Sequence, residues 1–273
     1  MKRSSLLVIF LFFGIKVFSQ DFILKANSFH DFDGNYLLEN GIINISMNTI
    51  DYKYSGKYDL KIFNMIPYIV IDSKYEMLLL HNEKFGIISP YLPGKKDSNV
   101  GDFGSFCITE NANNSTKSFE SIPYDTIKTS SYLVQGNIKY DGENLHRPSG
   151  RPWVEGVDGN GINESIDIEW KNYKGYSDRI KVLVISIGYV SFEKPYLYEF
   201  NSRPKTIMVE NIENGKKKQF NLDDTPNLQI LQLDDETMHV KISIIDIYKG
   251  TKWEDTCINF IKGLPQYFID GLY

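Results

Sequence analysis

At 273 residues, with 24% charged side chains and a formal net charge of −5, the chain lacks the basic surplus with which proteins hold nucleic acid. No apolar run reaches the roughly 20 residues that a membrane-crossing helix needs, so no membrane span is expected. A hydrophobic fraction of 42% is ample for a packed core, and an aromatic fraction of 14%, nearly all Tyr and Phe, favours sheets.

The first twenty residues have the layout of a secretory signal peptide. Lys2 and Arg3 precede the apolar run Leu6 to Phe13, and Phe18-Ser19-Gln20 leads into Asp21. Export, to the outside or to the periplasm, is therefore expected. Cleavage after Gln20 would remove three basic residues and no acid, leaving a mature chain that is more acidic still. No cysteine follows the cleavage point, so lipid anchoring there is not expected.

From Asp21 to about Tyr91 the chain reads as short strands joined by tight turns. Ile42 to Tyr54 and Lys57 to Phe63 flank Ser55-Gly56, a hairpin signal. Tyr68 to Ile71 and Tyr75 to Leu80 flank Asp72-Ser73-Lys74, and Asn82-Glu83-Lys84 precedes Phe85 to Ser89. This pattern predicts an antiparallel meander of five strands, closed into a small barrel or a sandwich.

Pro93 to Ser118 is rich in Gly, Asn, Ser and Lys, a composition that buries little surface, and it reads as a linker or long loop. Phe103, Phe106 and Ile108 mark one last strand inside it. The expected division is a signal peptide over 1–20, a small all-β domain with its linker over 21–118, and a second domain over 119–273. Cys107 and Cys257 then fall in different domains, where two buried thiols are expected more than a disulfide.

In the second domain, strands are expected over Glu164–Trp170, Arg179–Val190, Lys205–Ile212, Lys216–Leu222, Leu228–Leu233, Met238–Tyr248 and around Cys257–Lys262. Ile166, Ile168 and Trp170 alternate with Ser165, Asp167 and Glu169, the mark of a strand with one face in a core. Ile180 to Val190 is apolar on both faces. Asn214-Gly215 between two strand-like runs predicts a type I′ hairpin turn. Val240, Ile242 and Ile244 share a face that Ile245 and Ile247 break, which predicts a bulge near Ile245. Together these describe an antiparallel sandwich of roughly eight strands.

Several of these residues also resemble a known family. Trp153-Val154-Glu155-Gly156-Val157, then Gly159, Gly161 and Glu164, is similar to the signature of the NADase-type glycan-binding domain, a discoidin-like, galactose-binding-like jelly roll. The likeness continues at Gly188-Tyr189, at Asn201 to Lys205, at Ile244 to Lys252 and at Glu254 to Ile258. Ser130 to Leu133 and Tyr140 to Leu145 resemble its opening segment. It covers about residues 128–262 and leaves the N-terminal half outside. The family usually reads Gly-Ile-Gly-Glu where this chain has Gly161-Ile162-Asn163-Glu164; Asn tolerates positive φ, so the turn survives. It often has an acidic residue where Phe260 stands, and in related jelly rolls that carboxylate helps to hold a structural calcium. Asp158 and Asn160 look like the start of a calcium loop without its remainder. No cofactor is therefore expected.

What the resemblance implies is an all-β, non-catalytic protein whose C-terminal jelly roll binds a glycan or glycoconjugate. Sugar recognition needs aromatic faces and planar polar groups. The candidates are Trp153, Glu155, Tyr189, Tyr196, Asn201, Arg203, Tyr248, Trp253 and Asp255, with Tyr198, Asp158 and Lys252 nearby. Each has a structural alternative. Trp153 beside Pro152 fits a core plug equally well. Asn201 and Arg203 fit a loop tied to the sheet, with Arg203 forking onto a carboxylate such as Glu155. Asp255 fits a turn cap before Cys257, whereas Tyr248 and Trp253 are the better candidates for exposed stacking.

Signs of catalysis are weaker. His30, His81, His146 and His239 have no metal-ligand spacing, neither cysteine sits in a nucleophile motif, and no serine lies in a nucleophile elbow. The carboxylate-rich run His30 to Asn35 reads as a solvated turn. Two alternatives remain: an adhesion module that meets a cell-surface protein, and the targeting arm of a secreted hydrolase whose catalytic part is the N-terminal domain.

Overall fold

A computed structural model describes eight strand segments between residues 22 and 107, and then residues 124–146, 151–171, 179–191 and 194–266. The first eight strands are β1 (Phe22–Ala26), β2 (Gly34–Glu39), β3 (Ile42–Met47), β4 (Tyr52–Phe63), β5 (Ile66–Ile71), β6 (Tyr75–His81), β7 (Phe85–Pro90) and β8 (Gly104–Cys107). They form an antiparallel meander that closes into a barrel where Leu24 of β1 pairs with Phe106 of β8. The register sets Tyr36, Ile45 and Tyr54 on one face, with Ile69 and Met77 on that same face further round. The alternate positions of β4 include Lys53, Ser55, Lys57, Asp59 and Lys61.

The meander thus has more strands than the five expected, and one turn is elsewhere. Ser55 and Gly56 lie inside β4, opposite Asn44 and Ile43. The alternation Tyr52, Tyr54, Tyr58, Leu60 runs straight through them, and a continuous period of two outweighs a local turn dipeptide. Of the last expected strand, Phe106 belongs to β8, while Phe103 and Ile108 fall outside the described residues. So do the signal segment and His30 to Asp33.

The second assembly is a sandwich. Its strands are β9 (Tyr124–Thr129), β10 (Val134–Gln135), β11 (Ile138–Lys139), β12 (Trp153–Val154), β13 (Ser165–Trp170), β14 (Ile180–Ile187), β15 (Arg203–Asn211), β16 (Lys217–Asn221), β17 (Gln229–Thr237), β18 (His239–Tyr248) and β19 (Cys257–Leu264). A 3-10 helix covers Gly142–His146, and one short helix, α1, covers Leu197–Phe200. One sheet has the order β12-β19-β14-β17 and the other β16-β15-β18-β13-β9, while β10 and β11 pair as a small hairpin. β9 to β12 lie ahead of the first strand expected in this domain: β9 begins at Tyr124, soon after the polar run, and β10, β11 and β12 are only two residues long each.

Strand periodicity builds the core between the sheets. Ile166, Ile168 and Trp170 are buried as their alternation requires, with Glu169 exposed. They meet Ile207, Val209, Val240 and Ile242 of their own sheet, and Leu183, Ile185, Leu231, Ile258 and Ile261 of the facing one. Each such aliphatic side chain contributes roughly 1.5–3 kcal/mol when fully buried. β14 is buried on both faces, so Val182, Val184 and Ser186 are as inaccessible as Leu183 and Ile185.

Two local expectations come out differently. The bulge exists: Thr206 pairs with Asp246 and Ile207 with Ile244, so Ile245 is the extra residue and is exposed, while Ile244 and Ile247 stay buried. The β15–β16 turn, however, is not type I′. Gly215 has φ 72°, but among described non-glycine residues only Asn163 has positive φ. The Asn211 carbonyl accepts the Gly215 N–H at 2.8 Å, and the Lys216 carbonyl accepts the Asn211 N–H, so the loop is four residues long. Asn211 Oδ1 accepting the Glu213 N–H stabilises this wider turn.

Candidate ligand-binding site

The sheet registers bring five connections out at one end of the sandwich. β15 opens opposite the end of β18, Arg203 against Tyr248. β19 opens opposite the end of β12, Cys257 against Val154, and Ile258 faces Ile187 at the end of β14. The segments 130–133, 155–164, 188–191 with 194–202, 222–228 and 249–256 therefore share this end.

Glu155 and Thr256 clamp two of them. The Glu155 carboxylate accepts the N–H of Val157 at 2.8 Å and of Thr256 at 3.3 Å, and the Thr256 hydroxyl donates to the Asn160 carbonyl at 2.7 Å. Gly161 has φ 68°, and a Cβ there would stand 2.6 Å from Glu155 Cγ, so the glycine is required on both counts. Asn163 has φ 74°, as the departure from the family's Gly-Ile-Gly-Glu pattern demanded. Burial raises the Glu155 carboxyl above its ordinary value, against the two backbone donors that lower it. Thr256 and Ser202 join as a parallel bridge, with the Ser202 N–H on the Asp255 carbonyl at 2.9 Å.

A second clamp holds the next loops. Arg203 donates from Nε and Nη2 to Asp224, at 2.7 and 2.6 Å, and from Nη1 to the carbonyls of Asn201 and Tyr198. Its guanidinium lies 4.9 Å from the centroid of the Tyr198 ring, whose hydroxyl also donates to Asp224. Burial pushes the Tyr198 hydroxyl well above the usual phenol range. Gly188, at φ 86°, leaves the room that Tyr198 fills, since a Cβ would lie 2.5 Å from its ring.

Burial takes Trp153, Glu155, Asn201 and Arg203 out of reach, and Tyr189, Tyr248 and Asp255 are half-buried. Trp153 is 0% exposed and donates its indole N–H to the Ser131 carbonyl at 2.9 Å, so it is the core plug. Glu155 is equally buried, and Arg203 forks onto Asp224, not Glu155. Asn201 is buried and donates to the Leu197 carbonyl, closing α1. Tyr248 is half-buried with its hydroxyl on the Leu222 carbonyl. Tyr189 packs edge-on against Tyr140 at 6.1 Å, and burial drives its hydroxyl far up. Asp255 is half-buried, its carboxyl raised by burial. At Trp153, Glu155, Asn201, Arg203 and Tyr248, loop ends that must order themselves use these polar groups internally.

What stays open is an aromatic group built from α1 and the β18–β19 loop. The Thr251 N–H and hydroxyl donate to the Glu199 carbonyl, and the N–H groups of Lys252 and Trp253 both donate to the Phe200 carbonyl, the latter at 2.8 Å. Gly250 permits this clasp, because a Cβ there would meet the Phe200 and Trp253 carbonyls at 2.4 Å. Tyr196 and Phe200 lie 5.1 Å apart, Phe200 and Trp253 5.4 Å, between ring centroids. Tyr196 is 39% and Trp253 36% exposed. The Lys252 ammonium sits 4.6 Å from the Trp253 ring and 5.3 Å from Phe200. Phe200 was not singled out from sequence, although its spacing of four from Tyr196 is that of neighbours on a helix.

A structural calcium does not fit this end. Asn160 Oδ1 accepts the Ile162 N–H, its carbonyl is taken by Thr256, and Phe260 is buried where the family often carries a carboxylate. Among the described residues no three acidic, histidine or cysteine side chains converge. His239 is bound to Asp167 at 2.8 Å, and Cys257 is a free, buried thiol. A shallow pocket lined by Val209, Lys216, Lys218, Leu233 and Asp235 lies at the other end, by the β15–β16 turn. Lys216 and Lys218 are paired there with Asp235 and Asp234.

The family model described as the NAD glycohydrolase translocation F5/8 type C domain matches residues 118–262, more than half of the chain. No curated protein matches. Among solved structures, the chain is similar to the family 32 carbohydrate-binding module from Streptococcus pneumoniae EndoD, at 11% identity and a TM-score of 0.36, covering 53% of this chain and 98% of that one.

Proposed function

We propose, for a chain that belongs to the NAD glycohydrolase translocation F5/8 type C domain family, that it is an exported, non-catalytic protein which binds glycans at the loop end of its sandwich. The observation that carries this reading is the clasped group Tyr196, Phe200 and Trp253. Two of its rings are open to solvent, yet the backbone beneath them is fixed by four hydrogen bonds. A rigid aromatic surface covers the apolar face of a pyranose at little cost in ordering entropy. The layout of Met1 to Gln20 supports export, and residues 21–118 and 119–273 serve as two domains. The matching model is that of a translocation domain, not of a hydrolase, which supports a binding role.

The test is a glycan array probed with the mature chain and with Trp253→Ala. Binding that Trp253→Ala abolishes, at unchanged thermal stability, is the expected result. Equal binding by both, or none by either, would sink the reading.

One observation favours a second reading, docking onto a cell-surface protein. Tyr132, Val157 and Ile162 on the connections of this end, and Val134 and Ile138 on the β10–β11 hairpin that follows one of them, are exposed apolar residues. If these carry function, Val134→Glu with Ile138→Lys removes adhesion to cells while Trp253→Ala leaves it intact.

A further inference from the structure

The cation on the aromatic surface points to the class of sugar. Lys252 lies over Trp253 and Phe200 and bonds to no carboxylate among the described residues, although Glu199, Glu254 and Asp255 are its neighbours in sequence or across the clasp. Lys205, Lys216, Lys217 and Lys218, on β15 and β16 and the turn between them, each reach an acid, whereas the ammonium of Lys252 rests on rings. Trp253 and Phe200 are set edge to face, 74° between planes, so the ammonium covers ring surface that a sugar would need.

A ligand that stacks on the covered face of Trp253 or Phe200 therefore exchanges with Lys252. A neutral sugar that displaces the ammonium from the rings gives it only a hydroxyl in return. A carboxylate gives it a charge-assisted hydrogen bond, which is stronger than the contact of a cation with an exposed ring. The swing of Lys252 onto a carboxylate then uncovers the ring face for the pyranose. We infer that this site selects acidic glycans, those carrying a uronic- or sialic-type carboxylate, with Lys252 as the residue that sets the selection. This rests on the glycan reading above and adds the charge of the ligand to it. The net charge, −5 for the whole chain and more negative without Lys2, Arg3 and Lys16, opposes approach of an anion, so the selection acts in the bound complex and slows dissociation more than it speeds association.

The experiment uses the mature chain and matched pairs: lactose with sialyllactose, and galactan with galacturonan oligosaccharides, followed by tryptophan fluorescence and calorimetry. The acidic member of each pair is expected to bind at least about tenfold more tightly. Lys252→Met, which keeps the apolar stem and removes the charge, is expected to bring the two members within about twofold, with its melting temperature unchanged. Trp253→Ala should weaken both members. Equal affinities within each pair, still lost in Trp253→Ala, overturn the acidic selection and leave the glycan reading standing. So does a preference for the acidic member that survives Lys252→Met. No binding to any member overturns both.

Discussion

Arg203 meets Asp224 as a two-pronged fork, Nε to Oδ1 at 2.7 Å and Nη2 to Oδ2 at 2.6 Å, with the guanidinium side chain 8% exposed and the carboxylate 34%. The pair ties the start of β15 to the loop before β17, and Tyr198 hangs its hydroxyl on the same oxygen. Asp224→Ala is expected to cost roughly 2–4 kcal/mol, less than a fully buried pair because water reaches the carboxylate. Chemical denaturation measures it. A loss below about 0.5 kcal/mol would place the fork among ordinary surface ion pairs.

The two glycines of the acidic loop should separate by cost. Gly159, at φ 113°, has nothing within 4 Å of where a methyl group would stand, whereas Gly161, at φ 68°, would drive one into Glu155. Gly159→Ala carries backbone strain alone, about 1–2 kcal/mol. Gly161→Ala adds displacement of a buried carboxylate that holds two N–H groups, and about 3 kcal/mol or more is expected in total. Equal melting temperatures for the two variants would contradict the clamp.

Trp153 offers a test of core against site. Trp153→Ala removes a fully buried indole and should cost about 3–5 kcal/mol. Trp153→Phe mainly strands the Ser131 carbonyl, at roughly 1–2 kcal/mol. Titration of whatever remains folded with a bound glycan should show unaltered affinity, because Trp153 is 0% exposed. A weakened affinity in folded Trp153→Phe would return this residue to the binding surface.

Burial gives Glu155 an unusual pH signature. Its carboxyl lies above the ordinary 4.5 in the folded chain, chiefly through desolvation. The folded state thus holds this proton more tightly than the unfolded state does. As pH rises from the unfolded value through the folded one, the unfolded chain gives up its proton first, and Glu155 subtracts stability over that window. Asp255 acts with the same sign. Urea midpoints of wild type and Glu155→Gln, compared from pH 4 upward, should move in favour of the glutamine variant as pH rises, whatever their offset. A difference that stays flat, or moves the other way, would show that the backbone donors outweigh burial.

Reading these residues from sequence worked where the signal was periodic. Ile166, Ile168 and Trp170 lie on one buried face, and the broken register of β18 located a bulge at Ile245. Turn dipeptides served less well: Ser55-Gly56 lies inside a paired strand, and Asn214-Gly215 does sit in a hairpin turn, but one of four residues and not of type I′. The family likeness marked loops that meet at one end of the sandwich, and several of the residues it singled out there are buried or bonded within those loops. Glycine and acidic positions in such a signature mark how the loops are clamped, and a clamp and a ligand site draw on the same residue types.

The sequence by itself determined the all-β character and which strands of the sandwich share a core, because period-two alternation is a property of each segment alone. It also carried the family, through glycines and aromatics at fitting spacings. Only the tertiary structure decided which polar groups are spent internally. Arg203 finds its carboxylate 21 residues away and Glu155 its second donor 101 residues away, in loops that meet only when both sheets have formed. Exposure followed the same rule. Trp153, which fitted a core plug and a binding residue equally well in sequence, is sealed between the sheets, whereas Trp253 rests on a clasp of backbone hydrogen bonds with its ring partly open to water.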